Sequence, residues 1–462
     1  MRHLGRALFL VILMSGCAPG HQATATATGS PVASPSSSPI ASPSPSPSPI
    51  TYGPPQYRAI WVDGFNDGIK SRAQVEKLVA DAHRANLNTL IVQVRKRGDA
   101  YFNRSDEPRA FDITGPRGFD PLGYLIQVAH GSNPRIEVHA WLNTFFVGEE
   151  SGAYVKHGDW ANRTNDGATG GDLDPGIPEV QTYTHKIFMN VARNYDVDGL
   201  HMDFVRYAGA TWGYTPASLA LYRQETGATG VPAPDDSRWQ AWRRERVTAF
   251  VRDLHNDLKQ KNPSVKLSAA LICFGGGPSG MADWGRTSAY SSVFQDWADW
   301  LLKGYIDFGV PMNYDSDWIL REKGWFDRWV AFEKDSGFAN RVVTGMGGFL
   351  NYPDDSLAQI RRVLAPSARG HQVLGVAIYS YAATSVYGNS DFYNSSDLYS
   401  GLPRQPYAGG ITTAAGLEQR AQAFNDSFMT QLSRPADYRD VQLGVLHTQP
   451  VFTLPAQVPA LP

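Results

Sequence analysis

Pro178-Glu-Val-Gln-Thr-Tyr-Thr-His-Lys-Ile-Phe-Met-Asn-Val-Ala-Arg-Asn194 is followed by Val197-Asp-Gly-Leu-His-Met-Asp-Phe204, and this pair decides the fold. The first stretch opens with Pro and an acid in its first turn, as a helix N-terminus does. The second is a short apolar run. Its period-two alternation puts His201 and Asp203 on one face and Leu200 and Met202 on the other, as in a strand.

The same alternation recurs in both directions along the chain. Strand-like runs fall at Arg58–Asp63, Asn88–Arg95 and Arg135–Leu142, and again at Val265–Leu271, Tyr305–Asn313, Arg341–Met346 and Val373–Tyr381. Between them the pattern predicts helices over Ser71–Ala85, Pro121–His130, Trp239–Lys261, Ser292–Lys303, Gly324–Asp335 and Asp355–Leu364. Near-continuous Val, Ile, Leu and Ala mark strands buried on both faces, as a parallel sheet requires. Eight such units predict an α/β fold, a (β/α)8 TIM-type barrel over residues 57–390. A doubly wound sheet is the alternative, and chemistry at so many strand ends favours closure. Residues 391–462 hold an aromatic, Asn/Ser-rich loop, a helix over Ala414–Leu432 and a Pro-rich tail. They are expected to decorate the barrel as a C-terminal extension.

Before the barrel the chain changes character. Arg2 and Arg6 precede the apolar run Ala7–Met14, which stops at Ser15-Gly16-Cys17. That is a basic segment, a short apolar core and small residues before a cleavage point, as in a secretory signal. It falls short of the roughly 20 apolar residues of a membrane span. Met14-Ser-Gly-Cys17 resembles the bacterial lipobox, with Met where Leu is usual, so residues 1–17 are expected to be a lipoprotein signal with Cys17 lipidated. An ordinary signal peptide that happens to contain a Cys is the plainer alternative. Residues 18–56 are mostly Ala, Thr, Ser, Pro and Gly and carry no Lys, Arg, Asp or Glu. They are expected to be a disordered linker whose polyproline-like reach, at about 3.1 Å per residue, is on the order of 100 Å. The expected location is therefore outside the cytoplasm, held to an envelope membrane through the lipid. Cys273 would then have no intramolecular partner, and the fold must stand without a disulfide.

Lys plus Arg number 42 and Asp plus Glu 44, a formal charge of −2, which argues against nucleic acid as a partner. Gly275-Gly-Gly277 is a lone run that reads as a turn rather than a phosphate loop, and no cofactor is expected.

In a barrel of this type the C-terminal strand ends face the active site. In order they supply Asp63; Gln93 and Arg95, with Asp99 beyond; Trp141 and Asn143; His201, Asp203, Arg206 and Tyr207; Asn313, Tyr314, Asp315 and Asp317; and Tyr379. Amides, carboxylates and aromatic faces suit a neutral, hydroxyl-rich substrate such as a polysaccharide. Asp203, with Arg206 close by, is the expected nucleophile or base. The plainer alternative is a structural ion pair that closes a loop. His201 alone would be a packed histidine; beside Asp203 both readings stand.

The segment Asp198-Gly-Leu-His-Met-Asp-Phe-Val-Arg-Tyr207 resembles the Asp-Gly-Ile-His-Phe-Asp-Tyr-Ile-Arg-Tyr signature of the glycosyl-hydrolase-like 10 family of envelope proteins. The likeness extends through Arg58-Ala-Ile-Trp61, Val92-Gln-Val-Arg95 with Gly98-Asp-Ala100, His139-Ala-Trp-Leu-Asn143, Leu173-Asp-Pro-Gly176 and Pro178-Glu-Val180, covering roughly residues 57–385. It implies a barrel, glycoside hydrolysis and action on bacterial cell-wall glycans, and it carries Asp203 over first. A more distant likeness joins Asp198–Asp203 and Met312-Asn-Tyr-Asp315 to the fourth- and sixth-strand motifs of family 18 chitinases. There the Tyr and Asp of the latter motif grip a substrate N-acetyl group. The position of their acid Glu is Val205 here, so that chemistry does not transfer.

Glycosidases need two carboxyls, about 5–5.5 Å apart for retention and 6.5–9.5 Å for inversion, one of them with a raised pKa. Asp315 is the preferred acid, ahead of Asp317, Asp63 and Asp99; for each, a cap or a hydroxyl ligand is the plainer role. Two rivals stand beside this reading. One is a non-catalytic glycan-binding lipoprotein. The other is a metal-dependent hydrolase using His83, His139, His185, His201 or Asp203, although no His-x-His or His-Glu-x-x-His spacing is present and no metal is expected.

Overall fold

Tyr57–Val62 (β1) is buried along its whole length, as is Thr89–Arg95 (β2), because both run through the centre of a closed sheet. The computed structural model describes residues 50–388, 413–440 and 444–462, and the chain from Ile50 onward forms one compact unit. Cys17, residues 18–49 and the aromatic loop after 390 lie outside the described residues.

The remaining strands are Glu137–Asn143 (β3), the short pair Ala161–Arg163 (β4) and Thr169–Leu173 (β5), Gly199–Asp203 (β6), Lys266–Leu271 (β7), Phe308–Asn313 (β8), Val343–Gly347 (β9), Gly375–Tyr379 (β10) and a C-terminal antiparallel pair, Ala436–Asp440 (β11) and Gly444–Thr448 (β12). Eight of them close into a barrel in the order β1-β10-β9-β8-β7-β6-β3-β2, all neighbours parallel. The antiparallel pair β4–β5 stands outside it. Helices Arg72–Arg84 (α1), Pro121–His130 (α2), Gly152–Lys156 (α3), Pro178–Asn194 (α4), Pro216–Thr226 (α5), Ser237–Lys261 (α6), Ser288–Ser291 (α7), Trp297–Lys303 (α8), Leu320–Asp335 (α9) and Pro353–Leu364 (α10) connect the strands. Their starts follow local chemistry: Ser71, Asp120 and Asp236 each accept a backbone N–H of the first turn, and Pro opens α2, α4, α5 and α10. The helix expected over Ser292–Lys303 is shorter, because Phe294 adopts a left-handed φ of 57° and separates α7 from α8.

Alternation sorts the strand residues as a barrel demands. Ile60, Leu90, Val92, Val138, Leu200, Met202 and Val376 face the helices in the large outer core. Tyr57, Ala59, Trp61, Ile91, Trp141, Phe308, Val310, Val343 and Ala377 fill the interior. Gly345 of β9 is there because Trp61 is: a Cβ at that position would lie 2.8 Å from the indole Cη2 and closer still to the Pro311 carbonyl. Gly345→Ala is expected to cost about 1–3 kcal/mol, read as a lowered urea midpoint with unchanged slope. An unchanged midpoint would show that the indole yields freely.

Residues 53–56 and 455–461 come together at the N-terminal ends of the barrel strands. Gly53 N–H donates to the Pro455 carbonyl (2.8 Å) and Gln56 N–H to that of Gln457 (3.0 Å). Val458 and Leu461 pack against the interior cluster of Tyr57 and Phe308. The linker expected to run to residue 56 therefore stops earlier, since residues 53 and 56 are already tied down by backbone pairing. The helix Ala414–Gln431 lies on α1, where Lys77 Nζ meets Asp426 at 2.8 Å. With the tail at the N-terminal ends of the strands, the open mouth is at their C-terminal ends. No described helix is long and apolar enough to cross a membrane.

Candidate active site

Asp203 is the last residue of β6 and Phe204 turns the chain sharply, with a left-handed φ of 49° that is costly for a bulky side chain. Three contacts hold the turn. Phe204 N–H donates to Asp203 Oδ1 at 2.6 Å, the Phe204 ring lies 5.1 Å from Phe146, and the Arg206 guanidinium sits 4.4 Å over that ring. Arg206 Nη1 also donates to Asp203 Oδ1 at 3.1 Å. Strain of this kind marks a position the rest of the fold over-determines, and here it fixes a carboxylate at the mouth.

Beneath Asp203 lies an aromatic floor. Trp61, from β1, meets Tyr314 edge-on at 6.3 Å and Tyr379 at 5.9 Å. Tyr314 and Tyr379 stack at 5.3 Å, Phe349 adjoins both, and Trp141 lies 6.4 Å from Tyr379. Burial pushes the Tyr379 phenol up, and the Asp63 and Asp203 carboxylates push it further. Burial, then Tyr379 and Asp203, do the same to Tyr314. Asp63, the residue after β1, and Asp203, the last of β6, thus both bear on the Tyr379 phenol. Asp63 spends its Oδ1 on the Phe65 and Asn66 amides and the Asn66 side chain, which hold the β1 loop.

Asp315 follows Tyr314 and is buried; among the described residues its Oδ2 has no hydrogen-bond partner. Burial first, and the Glu322 carboxylate of α9 second, raise its pKa to about 7. Asp172, on β5, went unnoticed in the sequence. Its carboxyl is raised to about 6 by burial, against the pull of Arg206. The only signal was its place beside Leu173-Asp-Pro-Gly176; the β4–β5 excursion that brings it to Arg206 has no periodicity to read.

Several predicted substrate ligands are instead committed elsewhere. Arg95 is fully buried, with NεH and NH2 donating to the two oxygens of Glu107 at 2.7 and 2.6 Å. Gln93 bonds the Gly64 amide and Asn143, and Asn143 bonds the Lys96 carbonyl. Asp99 caps the Lys96 and Arg97 amides. His201 is buried between Trp61 Nε1 (3.2 Å) and Ser268 Oγ (2.9 Å), and burial, then His139, drive its pKa well below 6.5. It is the packed, neutral histidine, with no edge left for a sugar. Tyr207 is buried against Phe294 and Arg243, away from the mouth. Asp317 pairs with Arg362. Asn313 points outward, donating to Glu333 Oε1 of α9 at 2.7 Å. In each case alternation, or a partner that the residue's own strand does not reveal, committed the group within the protein.

That outward cluster makes stability depend on pH. Burial raises Glu333 to about 7, above the ordinary glutamate value of 4.5, despite hydrogen bonds from Thr344 and Asn313. The folded state holds the proton more tightly, so stability is full below about 4.5 and falls as pH rises toward 7; Asp315 has the same sign. A melting temperature a few degrees lower at pH 8 than at pH 5 is expected, with a smaller drop in Glu333→Gln. An identical drop in the variant would remove Glu333 from the account.

The histidines of the metal reading are dispersed. His83 is on α1 and His185 on α4, while His139 bonds Glu137. Among the described residues no group of three or more His, Cys, Asp and Glu side chains is placed to hold a metal ion.

A family model described as glycosyl hydrolase-like 10 matches residues 56–328, so β9 and β10 complete the barrel beyond the match. Similar curated proteins include glycosyl hydrolase YngK of Bacillus subtilis (strain 168), 27% identical over 290 residues, which are 56% of this chain and 54% of that protein. Glycosyl hydrolase DigH of Escherichia coli (strain K12) is 26% identical over 277 residues, 53% of this chain and 58% of that one. The chain spans about half the length of the curated relatives it matches. Among solved structures, the PgaB (BpsB) glycoside hydrolase domain from Bordetella bronchiseptica shares the fold, with a TM-score of 0.54 at 14% identity, covering 70% of this chain and 94% of that one.

Proposed function

Because the chain belongs to the glycosyl hydrolase-like 10 family, we propose that it hydrolyses O-glycosidic bonds in an amino-sugar-containing envelope polysaccharide, peptidoglycan strands first among them. The observation that carries the reading is the Asp203 carboxylate, held at the end of β6 by Phe204 N–H and Arg206, beside the aromatic floor of Trp61, Trp141, Tyr314 and Tyr379. Aromatic faces cover the apolar faces of pyranose rings, and carboxylates accept from hydroxyls.

Asp203 is the nucleophile or base. It either attacks the anomeric carbon or takes a proton from the water that does. Asp315, with a carboxyl pKa of about 7, is the acid: its proton passes to the glycosidic oxygen as the C–O bond breaks. Arg206 orients Asp203 through the 3.1 Å hydrogen bond. The proposed tether is the lipid on Cys17, with the Ser/Pro-rich stretch as spacer, which would let the barrel reach polymer outside the membrane.

One observation favours a non-catalytic glycan-binding barrel: Val205, at the position of the family 18 acid, is buried in the outer core. Incubating the full chain with peptide-free peptidoglycan strands, chitin oligomers and other envelope polysaccharides separates the two. New reducing ends and shortened products by mass spectrometry are expected. Retention of a glycan with no cleavage across the panel would establish the binding reading instead.

A further inference from the structure

Two exposed phenylalanines stand at matched places on the rim. Phe65 is the third residue beyond the end of β1, and Phe274 the third beyond the end of β7. They expose 47% and 58% of their surface. The order around the barrel, β1-β2-β3-β6-β7-β8-β9-β10, sets β1 and β7 four places apart among eight, that is, diametrically opposed. Asp203 ends β6 and Asp315 follows β8, the two strands that flank β7, while Tyr379 ends β10, beside β1.

Each ring stands on a loop whose backbone is fixed by hydrogen bonds. Phe65 follows the Asp63 loop, with Arg97 at 5.2 Å and Lys96 at 5.4 Å from its centroid; Phe111, 92% exposed, lies 5.5 Å from the same ammonium. Phe274 stands between the buried Cys273 and Gly275, whose left-handed φ of 71° turns the loop and whose carbonyl accepts from Trp329 Nε1 at 2.8 Å. Neither ring contributes to the core, so packing does not account for them, and exposed aromatic rings contiguous with a site mark binding surface.

We propose that Phe65 and Phe274 are distal stacking subsites for pyranose rings of one glycan, which lies across the mouth along the β1–β7 diameter and extends past Asp203 on both sides. This rests on the glycan reading above and adds to it the direction of the chain and the residues that select polymer over short oligomer. The occupant is a sugar chain because the rings adjoin a centre of carboxylates and phenols.

The test compares the full chain with Phe65→Ala, Phe274→Ala and the double variant. Affinity electrophoresis through peptide-free peptidoglycan strands is set against competition by the corresponding tetrasaccharide. Each single variant is expected to lower the polymer-over-tetrasaccharide preference several-fold, and the double variant on the order of tenfold or more. Leu302→Ala, which removes an exposed apolar side chain from α8, serves as the control and is expected to match wild type. A double variant retarded like wild type overturns the proposal, as does an equal loss for polymer and tetrasaccharide. So does a wild type that the polymer fails to retard. Retardation lost in the variants while wild type cleaves nothing would instead overturn hydrolysis and leave the subsites standing.

Discussion

Asp203→Asn is expected to lower glycan cleavage on the order of 10³-fold without unfolding the protein. The amide oxygen can still accept from Phe204 N–H and Arg206, so the strained turn after β6 keeps its contacts. What is lost is the negative charge and basicity that attack on the anomeric carbon or activation of water requires. Initial rates of reducing-end release, alongside a thermal melt, check the expectation. A rate within tenfold of wild type would remove Asp203 from the chemistry. A comparable loss of melting temperature would return it to the loop-closing ion pair.

The second large effect belongs to Asp315. A carboxyl with a pKa of about 7 is protonated and able to donate below neutrality, and ionised above it. Cleavage is therefore expected to fall as pH rises through about 7, and Asp315→Asn is expected to lower kcat by 10²–10⁴-fold and abolish that limb. An aryl glycoside with an acidic leaving group needs little proton donation, so the variant should recover most of its rate on such a substrate. If the limb persists in the variant, the acid is another group, and Asp172, raised to about 6 beside Arg206, takes its place.

Much of the barrel was legible because a strand buried on both faces and a helix buried on one leave different periodicities. Pro121–His130 and Pro178–Asn194 begin and end where Pro, capping residues and apolar spacing put them. Asp203 was legible too, since strand alternation turns it with His201 to the inside and the barrel places strand ends at the mouth. The excursion through β4 and β5 was not, because its five-residue strand Thr169–Leu173 contains two glycines and a polar face that reads as loop. The division within the site is sharper. Arg95, Asn143 and Asn313 look like substrate ligands in the strands that carry them, yet each is taken by a partner distant in sequence: Arg95 by Glu107, Asn143 by Gln93 and Asn313 by Glu333.

Taken alone, then, the sequence determined the eight-fold β/α order, the leader's composition and the carboxylate at the end of the fourth barrel strand, because local periodicity and capping are properties of neighbouring residues. Tertiary structure alone decided which polar groups are taken by partners within the protein, how far Asp315 is raised, and that Phe65 and Phe274 follow strands on opposite sides of the barrel. Desolvation, ion pairing and position around a closed barrel depend on what lies nearby in space, and the residues that set them here are up to hundreds of positions apart.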